Sequence, residues 1–385
     1  MRNELPINFE QFSDARKKGF LEAKKLKEDG GLLAGTFCTY TPLEVFDAAG
    51  MYSVSLCASS DETIADAEKD LPKWLCPLIK SSYGFIVSDK CPYAHFADII
   101  VGETTCDGKK KMYELLSRTK NVHVMQLPQS NNRTEDLDCW TQEIHSLIEL
   151  LEQQFGVSIT DEKLRAAVKW RNELRRREMA LMEMQQTVPP AMEMRDLFEV
   201  LNSINFSFDH PESMRKLSEL QDEVTSCYMH GDHPVATDRA RILITGCPTG
   251  GVVDKTIGAI EKNGGVVVCM ENCNGIKGAQ NLIDEDADDI VRAIAARYLK
   301  IPCSVMSPNS GRIESIRRLC KDYKVDAIVD ITLLGCHTYG VETALISQTA
   351  EEMGVPYLAL ETDYSHTDDG MLLTRLSALI EMVRN

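Results

Sequence analysis

The sequence predicts an α/β protein with two doubly wound domains, each built on a mostly parallel sheet, and a helical region that connects them. Three observations indicate this class. Short apolar runs of β type alternate with helical patterns in both end regions, the middle has no β-like run, and several cysteines directly follow predicted strands. The 385 residues suffice for two or three domains, which we place at 1–140, 141–235 and 236–385.

Eight strands are predicted, four in each outer domain. They cover 32–37, 53–56, 99–102 and 122–127 in the first domain, and 241–246, 265–270, 327–332 and 357–361 in the last. After the first strand, Thr41 is expected to cap a helix that has Pro42 at its first position and Gly50 at its end. Strands that alternate with helices are typical of Rossmann- and flavodoxin-like folds, where ligands bind beyond the carboxyl ends of the strands.

Two further segments are predicted to be helical. The first 30 residues are rich in Lys and Glu and have the pattern of an amphipathic leading helix. Residues 161–186 are rich in Arg, Glu, Leu and Met and belong to the connecting region. We expect the methionines there and just after it to pack between helices rather than bind metal, namely Met179, Met182, Met184, Met192 and Met194.

The charge of the chain excludes some classes of partner. The 42 Lys and Arg residues against 59 Asp and Glu residues leave a formal net charge of −17. A chain this acidic repels nucleic-acid phosphates and anionic membranes. The start has no apolar signal region, and no window approaches the ~20 apolar residues that span a bilayer. We expect a cytoplasmic protein that binds neither nucleic acid nor membrane.

Thirteen cysteines are unusual for a chain of this length. Because a reducing cytosol disfavours structural disulfides, the thiols are either buried packing residues or metal ligands. Four follow predicted strands, namely Cys38, Cys106, Cys273 and Cys336. For Cys106 and Cys336 a helix is predicted to start at the thiol, where the helix dipole favours a thiolate.

Other thiols lie in different surroundings. Cys57, Cys76 and Cys91 fall near the same edge of the first sheet, and a proline follows the last two of them. Packing or surface roles are expected for Cys139, Cys227, Cys247, Cys269, Cys303 and Cys320. The sequence has no CxxC motif, so zinc ribbons and ferredoxin-type runs are unsupported. Dispersed ligands fit a cluster held between the two domains.

Three further features have two interpretations each. Residues 245–251 follow a strand like a phosphate loop but match no phosphate-binding motif, so a tight turn is favoured. Residues 109–111 are three lysines that either contact an acidic partner or substrate phosphates, or form a solvated helical turn. His337 beside Cys336, and Glu361 at the end of the last strand, are the candidate catalytic residues near a metal site, against a surface or core role.

Seven segments carry a resemblance to a known family. They are CTYTPLE at 38–44, LCPLIKSSYG at 75–84, DKCPY at 89–93, ETTCDGKKKM at 103–112, ENC at 271–273, GCHTY at 335–339 and ETDY at 361–364. Together they resemble the 2-hydroxyacyl-CoA dehydratase superfamily, and more narrowly its double-cubane cluster protein branch. The likeness covers almost the whole chain and is weakest from about 130 to 235.

The resemblance implies an iron–sulfur protein. Its cofactor would be a double-cubane [8Fe–9S] cluster, in which a sulfide bridges two [4Fe–4S] cubanes. The protein would be a homodimer that receives electrons from an ATP-dependent iron–sulfur reductase and reduces a small molecule. Relatives with a single cubane hold it through three thiols, which match Cys76, Cys106 and Cys336. The bridged pair needs six, and we assign the other three to Cys38, Cys91 and Cys273, with Cys57 in reserve.

Two alternatives stay open. In the first, the chain is a subunit of a 2-hydroxyacyl-CoA dehydratase with one [4Fe–4S] cluster and a ketyl-radical mechanism. In the second, it is a non-enzymatic doubly wound binding or electron-relay module. Iron content separates the two clusters, since a single cubane brings about four iron atoms per chain and the bridged pair about eight.

Overall fold

The computed structural model describes residues 4–7, 9–204 and 206–384. The chain divides into two compact units. The first unit comprises residues 1–171 and 283–300, and the second comprises 172–282 and 301–385. Within the described residues, no helix combines the length and the apolar character needed to cross a bilayer.

Both units are built from strands and helices that alternate along the chain. The strands are β1 (Leu32–Thr36), β2 (Met51–Ser55), β3 (Ile99–Glu103), β4 (Val122–Met125), β5 (Ala240–Gly246), β6 (Gly265–Glu271), β7 (Ala327–Leu333) and β8 (Tyr357–Thr362). The α-helices are α1 (Asp14–Glu28), α2 (Leu43–Ala48), α3 (Ile64–Ala67), α4 (Pro77–Val87), α5 (Pro92–Phe96), α6 (Asp107–Leu116), α7 (Thr134–Phe155), α8 (Asp161–Glu183), α9 (Met194–Ile204), α10 (His210–Met229), α11 (Ile257–Lys262), α12 (Ile290–Leu299), α13 (Ser310–Asp322), α14 (His337–Met353) and α15 (Asp369–Arg384).

Each unit has a four-stranded sheet in which every strand pairing is parallel. The strand order is β2-β1-β3-β4 in the first unit and β6-β5-β7-β8 in the second, so the sheets correspond strand for strand. In both, the order reverses beside the first strand, between β1 and β3 and between β5 and β7. Such a reversal leaves a crevice at the carboxyl ends of the strands. The predicted doubly wound α/β fold and its eight strands are confirmed.

The central strands of the second unit are buried along their whole length. Every residue of β5, β6 and β7 is buried, whereas β8, at the edge, is only partly covered. A parallel strand covered by helices on both faces is apolar almost throughout. This burial explains why these strands form recognisable apolar runs in the sequence.

The helices of the predicted connecting region belong to both units. The helix α7 lies in the first unit, the boundary at Arg171 falls within α8, and α9 and α10 lie in the second unit. The methionines Met182, Met192 and Met194 are buried, as expected for packing residues. The division into three domains stays a prediction.

The predicted start of α2 was wrong. The helix begins at Leu43, and Pro42 occupies the capping position. The hydroxyl of Thr41 donates instead to the carboxylate of Glu103 and, at 2.9 Å, to the carbonyl oxygen of Cys38. A buried carboxylate needs a donor, and this distant partner takes the hydroxyl away from the helix end.

Candidate functional site

Besides the buried Cys247, which directly follows β5, five cysteines lie in the loops that leave the carboxyl ends of strands. Cys38 and Cys57 come two residues after β1 and β2, and Cys106 comes three residues after β3. In the second unit, Cys273 comes two residues after β6 and Cys336 three residues after β7. Because the two sheets correspond strand for strand, Cys57 matches Cys273, and Cys106 matches Cys336. The second match was expected from the sequence, and the first was missed.

Four thiols occupy the residue before the first turn of a helix. They are Cys76 at α4, Cys91 at α5, Cys106 at α6 and Cys336 at α14. A helix N-terminus presents unpaired N–H groups and a partial positive charge, both of which favour a thiolate. For Cys91, burial raises the pKa of the thiol, although the N–H group of Ala94, 3.4 Å from the sulfur, lowers it in part.

The cysteines expected to pack or to lie at the surface do so. Cys139 and Cys227 are exposed, on α7 and α10, while the other four are buried, namely Cys247, Cys269, Cys303 and Cys320. Burial raises the pKa of Cys320 to about 12 and the pKa of Cys269 well above its usual value. Inert thiols of this kind are common in cores.

The donor set fits an iron–sulfur cluster by its chemistry. No disulfide joins any of the thirteen cysteines, all of which lie in the described chain, and thiolates are the ligands that such clusters take. Within the described residues, no three His, Cys, Asp or Glu side chains are close enough together to hold a metal ion. The ligand set of Cys38, Cys76, Cys91, Cys106, Cys273 and Cys336 therefore stays a prediction.

A buried polar cluster lies close to the thiols of the first unit. The side chain of Glu103, the last residue of β3, is fully buried and accepts a hydrogen bond from Thr41. Burial raises the pKa of Glu103 to about 7, against the opposing effects of Thr41 and Lys109. Among the described residues, neither Glu103 Oε2 nor the buried hydroxyl of Tyr113 has a hydrogen-bond partner. This cluster thus retains hydrogen-bonding capacity.

A second buried cluster lies near Cys273 and Cys336. Glu271, two residues before Cys273, accepts hydrogen bonds from Thr245 at 2.6 Å and from Arg312 at 3.2 Å. Lys277 lies 3.4 Å from the same carboxylate and donates to the hydroxyl of Tyr339 at 2.9 Å.

Arg312 links this cluster to α14. It also donates to the carboxylate of Glu342, so two cations meet two carboxylates. The side chains of Lys277 and Arg312 are almost completely buried. Buried charges persist when they are paired and hydrogen-bonded, and this network fixes the two thiol loops of the second unit.

The three lysines at 109–111 do not act alike. Lys110 pairs with Asp107 at 2.8 Å, and Lys111 pairs with Glu114 at 2.7 Å on an exposed face of α6. Lys109 instead donates to the backbone oxygen of Phe37 at 2.8 Å. Neither interpretation of the run described this contact, since the i, i+4 spacing of Lys109 and Tyr113 indicates only that the two share a helix face.

The glycine-containing segment after β5 is a tight turn. Gly246 has φ +104°, and a Cβ there would lie 2.2 Å from the carbonyl oxygen of Ile331, so only glycine fits. The backbone N–H of Thr249 donates to Asn274 at 2.9 Å. That amide is already used by the protein, which favours the interpretation of a turn over that of a phosphate loop.

The two candidate catalytic residues are accessible. His337 is the exposed first residue of α14, directly after Cys336. Glu361 is exposed on β8 between the buried residues Leu360 and Thr362. Their catalytic roles stay predictions.

The chain matches one family model and is similar to three known proteins. The family model "2-hydroxyglutaryl-CoA dehydratase, D-component" matches residues 38–383. The chain is 46% identical over 381 residues, 99% of each chain, to the protein named "Putative dehydratase subunit YjiM" of Escherichia coli (strain K12). It is 22% identical to the (R)-phenyllactyl-CoA dehydratase beta subunit of Clostridium sporogenes, over 93% of each chain. It is 27% identical over 36% of each chain to a component of the benzoyl-CoA reductase of Thauera aromatica.

Proposed function

This chain belongs to the 2-hydroxyglutaryl-CoA dehydratase D-component family, and so to the 2-hydroxyacyl-CoA dehydratase superfamily, and on that premise we propose that it carries a double-cubane iron–sulfur cluster and reduces a small molecule. It is an enzyme component of the dehydratase or reductase type. Its proposed partners are an ATP-dependent iron–sulfur reductase, which supplies electrons, and a second copy of the chain.

The observation that carries the proposal is the number and position of the thiols. Three cysteines, Cys76, Cys106 and Cys336, suffice for one cubane with an open iron, and a second cubane needs further thiols. Cys38, Cys57 and Cys273 are the further thiols that lie at strand ends, and Cys91 precedes α5; we assign Cys38, Cys91 and Cys273 to the second cubane. Cys57 occupies the position in the first sheet that Cys273 occupies in the second, which keeps it in reserve as a ligand.

The cluster, when bound, supplies single electrons at low potential. The chain itself holds the thiolates at helix N-termini and provides buried cations near them, which offset negative charge. We assign the exposed His337, beside Cys336, as a proton donor to a small substrate, and Glu361 as the second. The strands β5, β6 and β7, which precede thiol loops of the second unit, are buried along their whole length, so water does not reach their backbone.

A dehydratase subunit with a single [4Fe–4S] cluster is the second candidate. The similarity to the (R)-phenyllactyl-CoA dehydratase beta subunit along 93% of the chain favours it. In that case Cys76, Cys106 and Cys336 hold the cluster, and the thiols of Cys38, Cys91 and Cys273 are not ligands.

Iron and acid-labile sulfide should be measured after strictly anaerobic purification of the full chain. About eight iron atoms per chain support the double cubane, and about four support the single-cubane dehydratase. A colourless protein without iron contradicts both.

Replacing Cys273 by Ser then tests the second cubane. We expect the Cys273→Ser variant to lose about half of the iron, because one cubane loses a thiolate ligand. The exposed Cys227 of α10 gives the matched control, and the Cys227→Ser variant should keep all of its iron. Unchanged iron in the Cys273 variant removes this residue from the ligand set.

A further inference from the structure

One backbone oxygen joins three parts of the first unit. The carbonyl oxygen of Phe37 accepts a hydrogen bond from Lys109 Nζ at 2.8 Å and another from Cys57 Sγ at 3.0 Å. This carbonyl belongs to the peptide that precedes Cys38, so its position sets the backbone of that cysteine. The loops after β1 and β2 and the helix that follows Cys106 therefore meet at the carbonyl oxygen of Phe37.

The ammonium of Lys109 is directed toward these loops by the helix that carries it. Met112, Tyr113 and Leu116 form the buried face of α6, and Lys109 lies one turn before them on that face. Within the described chain, Lys109 forms no salt bridge with a carboxylate, in contrast to Lys110 and Lys111.

The surroundings keep this lysine protonated. Burial alone lowers the pKa of Lys109, but the nearby Tyr113, Cys38 and Cys57 outweigh it and raise the pKa well above its usual value. The carboxyl of Glu103, which contributes in the same direction, is itself shifted to a pKa of about 7. The first unit thus holds a permanent positive charge beside two strand-end thiols.

We propose that Lys109 is a positioning residue for the iron–sulfur cluster: it anchors the carbonyl of Phe37, to which the thiol of Cys57 also bonds, and so fixes the backbone before Cys38, and it offsets the negative charge that the cluster gains on reduction. This inference rests on the proposed function, because it needs a cluster near these loops. One-electron reduction adds one negative charge, and a nearby cation in a medium of low dielectric constant stabilises the reduced form. An exposed lysine contributes little, since solvent and salt screen it.

The test compares Lys109→Met with Lys111→Met, which removes the same charge from the exposed face of the same helix. Both are purified anaerobically with their clusters, and the midpoint potential is measured by redox titration monitored by electron paramagnetic resonance. We expect the Lys109 variant to be reduced about tenfold less favourably than the wild type, a fall of about 59 mV for a one-electron couple. The Lys111 variant should titrate like the wild type.

A third variant separates charge from shape. Lys109→Arg keeps the positive charge and a donor, so it should retain the wild-type potential and iron content. If Lys109→Met folds but loses iron, retention of iron by Lys109→Arg supports the proposal, and loss of iron by both variants overturns the role of the charge. An equal potential in Lys109→Met and Lys111→Met also overturns it. The absence of a cluster from the wild type would instead refute the proposed function.

Discussion

Both units place acidic and basic side chains near their thiols, but they balance the charges differently. In the first unit, Glu103 is paired with a hydroxyl group, and Lys109 is bonded to a backbone carbonyl. In the second unit, Glu271 accepts from Arg312 and faces Lys277, and Arg312 also binds Glu342. The first cluster contains a cation without an ion pair among the described residues, and the second contains two ion-paired cations.

This difference indicates that the charged groups of the second unit stabilise the fold, whereas the cation of the first unit can bind a ligand. A buried charge that is compensated inside the protein is part of the folded framework, and removing its partner is costly. In the first unit, the cost of burying Glu103 is reduced by its raised pKa, which allows the neutral form near pH 7. The cation of the first unit is then available to an anionic ligand, whereas the cations of the second unit serve the fold.

The largest expected effect comes from breaking the second cluster. In the Arg312→Met variant, Glu271 and Glu342 stay buried without their guanidinium partner, so the free energy of unfolding should fall by about 3–5 kcal/mol. Urea unfolding of the protein without its cluster measures this. Arg317→Met is the control, since its ion pair with Glu352 is solvent-exposed and should contribute at most about 1 kcal/mol. Equal losses in both variants would contradict the assignment of the second cluster to stability.

The next largest effect concerns Glu103 and pH. Its pKa of about 7 in the folded protein exceeds the unfolded value of 4.5. Between pH 4.5 and pH 7, the carboxyl of Glu103 is therefore protonated in the folded state and ionised in the unfolded state. The stability that this proton contributes is fully present below pH 4.5 and is lost as the pH rises through 7. The loss amounts to about 3 kcal/mol.

The Glu103→Gln variant tests this without changing the shape of the side chain. Urea unfolding at pH 5 and pH 8 should show a smaller fall in stability for the variant than for the wild type. The variant should therefore gain relative stability at the higher pH. A parallel pH dependence of the two proteins would show that Glu103 is ionised throughout.

Local patterns in the sequence were enough to predict the strands. The residues of β5, β6 and β7 are buried, so each strand is mostly apolar, although Arg241 and Thr245 interrupt the pattern in β5 and Asp330 interrupts it in β7. The thiols after them were predicted from the same runs. The match between Cys57 and Cys273 was also accessible, because both follow a strand by two residues.

The buried polar clusters were beyond the reach of local patterns. Arg312 meets Glu271 and Glu342 across 41 and 30 residues of chain, and Thr41 meets Glu103 across 62. No periodicity connects such partners, which become neighbours only when the strands and helices of a unit pack together. For the same reason, the capping position of α2 was misassigned and the contact of Lys109 with Phe37 was missed.

The smallest expected effect compares one hydroxyl group in each cluster. The hydroxyl of Tyr113 is buried without a partner among the described residues, whereas the hydroxyl of Tyr339 accepts from Lys277 at 2.9 Å. Tyr113→Phe removes an unsatisfied polar atom, so it should change the free energy of unfolding by less than about 0.5 kcal/mol or raise it slightly. Tyr339→Phe leaves a buried ammonium short of an acceptor and should cost about 1–3 kcal/mol. Thermal and urea unfolding of the two variants measure the difference. A larger loss of stability in Tyr113→Phe than in Tyr339→Phe would contradict this, because it would indicate that the hydroxyl of Tyr113 has a hydrogen-bond partner in the folded protein.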